Sequence, residues 1–457
     1  MGPKRRSHYR PAPRPGKYGR PVERLIRKAV AGISSPAKNG GRGPRRSFRA
    51  ARFTGKNGAS GGPPMKIAYF VLPHMGGTYS VFRHLRGGLA AHGIELCWLG
   101  LAAGGQGIAP GMEGEAAFGT LVEAAADERA TARRLERAIL AGGFDGVIVN
   151  VLSDRVQTNL VRYLPPHILR LMVVHNITPG TYAAAEAIRH HVHATVCVSQ
   201  RAHDDLVKRH RFAPERTVVV ANAISTEAFA PFDRPERPAG EGLRLLFLGR
   251  IEDASKGVLW LPEILRRLPS PVTLTVAGDG PDLPRLKAAM PGGVYRGAVA
   301  ALAVPGLMAA HDVFLMPSRY EGLPMALVEA MAAGCVPVAS ALRGVTDMIV
   351  EDGRDGLLFP VGAPQEAARL VRALDGDRAR LMALSVGARR KVAGAFTVER
   401  MAAGYAAVLR RIAAEPPPVA APLAMEAWAL PPGLRAGLRT FLPRPVKNWL
   451  RVVRERL

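Results

Sequence analysis

The sequence predicts an α/β protein of two Rossmann-like parallel-sheet domains facing a cleft, with a basic tail at each end. Three observations predict it. From residue 66 to 360 one unit repeats: a short β-branched run, a Gly/Pro/Asn/Asp turn, then an Ala/Leu/Arg-rich helical stretch. Many of the runs are continuously apolar rather than alternating, as expected of parallel strands covered on both faces. Twelve such runs exceed one comfortable doubly wound domain, and a Pro-, Gly- and charge-rich break at 230–242 (APFDRPERPAGEG) reads as a linker.

Taken in order, the first domain (65–232) has expected strands at 66–72, 94–99, 146–151, 169–174, 194–199 and 217–221. The second (243–395) has them at 243–248, 272–277, 294–297, 313–316, 336–339 and 356–359. In open parallel sheets ligands bind beyond the carboxyl ends of the strands, so two facing domains would enclose a ligand between them.

The composition fits: of 457 residues, 48 % are apolar and 22 % charged, enough for sizeable cores. The net charge of +26 is unusual, but it sits in the tails. Residues 1–64 hold 17 Lys and Arg against one acid, and 416–457 hold seven against two, leaving only +5 for the middle. Three widely spaced cysteines (Cys97, Cys197, Cys335) exclude a disulfide framework and any CxxC motif, so a reducing, cytoplasmic setting is expected. The longest charge-free stretch, 96–112, carries five Gly, a Gln and a Pro, and does not read as a membrane span. No signal peptide is read at Met1.

The N-terminal tail, rich in Arg, Gly and Pro, is expected to be disordered. It has four readings: a nucleic-acid arm, a membrane-surface arm, a transit peptide, or sequence upstream of the true translation start. The last is preferred, because Met65-Lys66-Ile67 opens a strand as a native N-terminus would. The C-terminal tail opens with Glu415-Pro-Pro-Pro, a helix stop, and ends in a basic amphipathic segment at 446–457 with Trp449. That segment reads either as lying on an anionic membrane surface, peripheral to its inner face, or as a packed or frayed terminal helix.

Chemistry concentrates in 317–337 (PSRYEGLPMALVEAMAAGCVP). A helix is expected to begin at Pro324, whose fixed φ suits the first helical position, and to end by Gly334. Glu321 then lies in the turn at a strand's carboxyl end beside Gly322 and Leu323, where helix-start N–H groups can hold an anion. Glu329 follows within a turn and a half, able to accept hydrogen bonds from vicinal hydroxyls. Upstream, Arg250 and Lys256 place two cations at the mouth of the second sheet. They could stabilise charge on a departing diphosphate in place of a metal. In the first domain the loop with Gly76 and Gly77 lets backbone approach a phosphate or sugar closely. His175 closes the strand at 169–174.

The E-x7-E pattern of Glu321 and Glu329, with Gly322, Pro324, Ala330, Ala332, Gly334, Pro337 and Val338, resembles the retaining family-4 glycosyltransferases of the GT-B fold. The segment from Phe247 through Arg250 to Lys256 and Gly257 looks like that family's FxGR…KG, and the likeness covers about 66–412. The resemblance implies that Glu321 contacts the donor sugar and Glu329 the nucleotide ribose. It also implies that Gly76 and Gly77 lie near the diphosphate and that His175 touches the sugar. By the same likeness 65–232 is the acceptor-side domain, 243–395 binds the nucleotide sugar, and 396–415 is a helix crossing back to the first domain. The sequence departs from the family at Ala223, Ser225, Thr346 and Asp347. Asp375 and Asp377 spell a DxD, but between helical stretches they read as a helix-boundary turn, and no metal or other cofactor is expected.

The expected activity is thus sugar transfer from a nucleoside-diphosphate donor to a hydroxyl acceptor, glycan or lipid-linked or small, with retention. Two alternatives stand beside it: a catalytically silent partner subunit of the same fold, and a polyanion-binding protein acting through its N-terminal tail. No specific nucleic-acid partner is expected, because the middle is nearly charge-balanced.

Overall fold

The computed structural model describes residues 64–435 apart from 75, 103–106, 152–153, 231–240 and 270, with three isolated positions beyond (443, 446 and 449). The expectations for the N-terminal tail, the linker and the basic C-terminal end lie outside the described stretches.

The first sheet has seven strands in the order β3-β2-β1-β4-β5-β6-β7, and all its pairings are parallel. They are β1 (Met65–Tyr69), β2 (Ile94–Ala102), β3 (Gly119–Glu123), β4 (Gly146–Asn150), β5 (Leu169–Val174), β6 (Ala194–Cys197) and β7 (Thr217–Val219). Every residue of β4, β5 and β6 is buried. Successive side chains on a strand point to opposite faces, so Ile67 and Tyr69 of β1 join one core while Ala68 joins the other. The continuous apolar runs therefore mean what they promised: a sheet covered on both sides.

The second sheet has six parallel strands, β10-β9-β8-β11-β12-β13. They are β8 (Arg244–Leu248), β9 (Thr273–Ala277), β10 (Val294–Gly297), β11 (Val313–Met316), β12 (Val336–Ser340) and β13 (Leu357–Phe359). All twelve expected strands are present, within about two residues at most ends. One strand, β3, was not expected. It lies at the sheet edge with Val122 as its one buried residue, so its apolar signal is weak.

The helix Val398–Ala414 ties the two halves. Its buried stripe of Met401, Ala402, Tyr405, Val408, Leu409 and Ile412 follows helical spacing. It packs on the helix Gly77–Ala90 of the first half, so closely that a Cβ on Gly88 would lie 2.5 Å from that of Ala402. Beyond Glu415 the chain turns back over the first half as an extended strap. Trp428 lies against Tyr163 with ring centroids 4.7 Å apart, Arg133 pairs with Glu426, and Leu434 is buried. Asp377 caps the helix Arg378–Ala395 through the Arg380 N–H, and Asp375 pairs with Arg378, so the DxD is a helix boundary.

Candidate active site

The strand ends of the second sheet build the charged side of the site. After β8, Gly249 (φ +156°) and Gly278 (φ +133°) let two loops pass in near contact, since a Cβ on Gly278 would run into the Gly249 carbonyl. Ile251 N–H donates to Asp279 O at 2.8 Å and its carbonyl accepts from Asp282 N at 3.0 Å, which fixes the loop carrying Arg250. Arg250 itself is exposed. The chain then forms the short helix Asp253–Lys256, which ends on Gly257 in the left-handed region (φ +60°). A Cβ there would meet the Pro317 carbonyl, so Gly257 permits the Lys256 turn to press against the loop after β11.

This contact brings Lys256 to Glu321. The Nζ atom donates to both carboxylate oxygens, at 2.7 and 2.9 Å, and the Ser318 hydroxyl donates to Oε1 at 2.7 Å. Glu321 is only 9 % exposed, so this charge is held by partners rather than by water. An ammonium has three protons, and two are engaged here. Arg319 clamps the helix Asp253–Lys256 from below: it meets Asp253 Oδ2 at 2.9 Å and its guanidinium lies 3.7 Å from the Trp260 ring centroid. Neither Ser318 nor this clamp was singled out from sequence; the clamp joins residues 66 apart in the chain.

Glu329 stands on the helix Met325–Ala332, and none of the described residues forms an ion pair with its carboxyl. Burial pushes its pKa up to about 7. That helix starts one residue later than expected. Pro324 is its N-cap (φ −77°, ψ 95°), not its first helical residue, because its ψ is still extended; Leu323 and Pro324 are buried in the turn. Gly334 follows the helix with φ +73°.

The first sheet supplies neutral groups. His175 follows β5, and its ring is set into the protein. Its Nε2 lies 2.8 Å from Asn150 Oδ1, and Asn150 Nδ2 donates to Phe70 O at 2.9 Å. That orientation of the amide makes Nε2 the protonated nitrogen and leaves Nδ1 as an acceptor. Burial holds the imidazole at about 4, so it is neutral near pH 7. Asn150 was not anticipated from sequence; its signal is an amide at the carboxyl end of β4, beside β5. Gly76 caps the helix Gly77–Ala90 in an extended conformation; a Cβ on Gly77 would meet no atom within 4 Å, leaving that approach open.

The two sides touch at Gly322, where an added Cβ would collide with the His175 carbonyl and lie 3.2 Å from Asn176 Cα. Lys256, Glu321, Gly322 and His175 therefore form one locality. One departure from the resembled family has a local explanation. Thr346 is buried and closes its turn by accepting from Leu342 N and donating to Ser340 O, both at 2.7 Å. Among the described residues no three His, Cys, Asp or Glu side chains are grouped to hold a metal ion.

Residues 242–377 match the family model described as Glycosyl transferases group 1. The chain is 32 % identical over 258 residues to a D-inositol 3-phosphate glycosyltransferase of Geodermatophilus obscurus, covering 50 % of this chain and 56 % of that protein. It is 30 % identical over 250 residues to an alpha-maltose-1-phosphate synthase of Mycolicibacterium smegmatis, covering 48 % and 64 %. The match thus spans a little over half the length of these relatives. Among solved structures, HepE of Anabaena in complex with UDP and glucose superposes with TM-score 0.63 at 16 % identity, over 76 % of this chain and all of that one. Sucrose-phosphate synthase of Thermosynechococcus elongatus gives TM-score 0.64 at 18 % identity, over 77 % and 99 %. The likeness to these structures is one of fold, the two-sheet GT-B arrangement.

Proposed function

From the premise that residues 242–377 form a glycosyl transferase group 1 domain, we propose that the chain transfers a sugar from a nucleoside-diphosphate donor to a hydroxyl acceptor, retaining the anomeric configuration. The observation that carries this reading is the Lys256–Glu321 pair at 2.7 Å, set at the carboxyl ends of the second sheet beside His175.

The third Lys256 proton and the exposed Arg250 guanidinium take the diphosphate oxygens and stabilise the charge that grows on them as the bond to the sugar breaks. Glu321, anchored by Lys256 and Ser318, accepts hydrogen bonds from sugar hydroxyls. The unprotonated Nδ1 of His175 accepts another. Glu329 accepts from the ribose, and the Gly76-Gly77 helix start faces the diphosphate with its backbone N–H groups. No carboxylate stands ready as a second nucleophile, so attack comes from the same face. The bond from the anomeric carbon to phosphate oxygen breaks and its electron pair goes to that oxygen. The acceptor oxygen bonds to the same carbon, and its proton passes to the departing phosphate.

No metal is invoked for this step. The acceptor is a glycan or a lipid-linked hydroxyl compound. An anionic membrane is a fitting surface for the basic C-terminal end. Among the described residues no helix is long and apolar enough to cross a membrane. The names of the two relatives, an inositol-phosphate glycosyltransferase and a maltose-phosphate synthase, support activated-sugar transfer as the common theme. Thermal melting with a panel of nucleotide sugars tests the reading. At least one donor raises the melting temperature of the wild-type chain and not of K256A. No rise with any donor, by a chain that is folded, contradicts it.

A further inference from the structure

A cavity of about 400 Å³ opens at the amino ends of β6 and β7, lined in part by Thr195 and Thr217. The strands of this sheet are parallel and His175 follows the carboxyl end of β5, so the cavity lies at the opposite end of the strands from the candidate active site. Its lining includes Arg189, His190, Arg211 and Arg216 and contains no Asp or Glu. The C-terminal strap closes one wall with Pro418 and Ala420.

The wall is held in place by the chain itself. Arg216 Nη1 donates to Pro418 O at 2.8 Å, Ala420 N donates to His190 O at 2.7 Å, and Arg189 Nη1 donates to His210 O at 2.8 Å. A guanidinium has five N–H groups, so these carbonyl contacts leave donors over on both arginines. Arg211 is exposed and stands at φ +55°, the one described non-glycine residue with positive φ.

Neighbouring cations behave differently. Arg201 and Arg209 pair with Asp205, and Lys208 pairs with Asp204. Among the described residues no carboxylate forms an ion pair with Arg189, Arg211 or Arg216, although the adjoining Glu186 reaches His210 at 2.9 Å. Three like charges around one concavity repel each other unless an anion joins them. The planar guanidinium fork matches phosphate oxygens in pairs.

We propose that this cavity binds a phosphoryl or phosphodiester group, at a site separate from the donor. The group belongs either to a soluble phosphorylated compound or to a lipid headgroup. The proposal stands apart from the transferase reading, since none of its residues belongs to the candidate active site.

The test compares the full wild-type chain with R211G, which removes one guanidinium while a glycine accepts the positive φ without strain. Inorganic phosphate is titrated by calorimetry, and binding to phosphatidylglycerol vesicles is followed by co-sedimentation. Binding shared with the basic tail or the donor loops is common to both chains. Phosphate affinity falls about tenfold or more in R211G, the scale of one lost charged hydrogen bond. A parallel fall in vesicle binding identifies a lipid headgroup, and unchanged vesicle binding identifies a soluble ligand. R189Q repeats the loss through a different element. Phosphate affinity equal in wild type, R211G and R189Q overturns the proposal, as does a wild-type chain that binds no phosphate.

Discussion

The two sheets are alike in topology and unlike in what they present at their carboxyl ends. The second sheet presents charge: Lys256 and Glu321 in direct contact, Arg250 exposed on the loop after β8, Glu329 on the helix that follows β11. The first presents neutral groups: the Gly76-Gly77 helix start and a His175 ring that burial keeps uncharged. On the proposed reading, one fold repeated gives one half that handles a diphosphate and one that shapes the space in front of the sugar. Function is set by loop chemistry, not by the sheets.

Variants of the second half test that contrast. The largest effect is expected from K256A. It removes a developing-charge stabiliser and strands a buried Glu321, so turnover falls about 10²- to 10³-fold with the circular dichroism spectrum preserved. G322A comes next, because its Cβ has backbone, not side chain, in the way. Prising His175 from the Glu321 turn costs about 1–3 kcal/mol and lowers turnover, read by melting temperature and rate together.

A pH effect is smaller and belongs to the charged half alone. The Glu329 pKa of about 7 lies above its unfolded value. Its contribution to stability is therefore complete below the unfolded pKa and fades as pH rises through about 7. Donor binding runs the other way, since only the carboxylate accepts from two hydroxyls. A carboxyl of this pKa is about one-tenth ionised at pH 6, so nucleotide affinity weakens up to about tenfold between pH 8 and 6. E329Q flattens the profile, as calorimetry at the two pH values would show. The smallest effect is T346V, which loses two turn-closing hydrogen bonds: about 1–3 kcal/mol of stability by denaturant titration, with turnover per folded molecule unchanged.

Strand identity was legible because parallel strands are apolar on both faces, and the Val313–Met316 run shows it without interruption, while Leu169–Val174 shows it despite Arg170. Edge strand β3 was not, since one buried valine leaves little pattern to read. The placement of Glu321 in the turn after a strand and of Glu329 on the next helix was legible from their spacing. Asn150 and the Arg319–Asp253 clamp were not, because their meaning lies in partners distant along the chain or on a neighbouring strand. The strap at 416–435 was read as a stop signal only; its docking depends on Tyr163 and Arg133, more than 250 residues earlier.

The central claim is that Lys256 and Glu321 act on the donor as one unit. A double-variant cycle measures this directly: turnover of the best donor by wild type, K256A, E321Q and the double variant. The account predicts that the double variant loses little more than the worse single one. Losses that multiply across the two changes would mean two independent residues, and would contradict it.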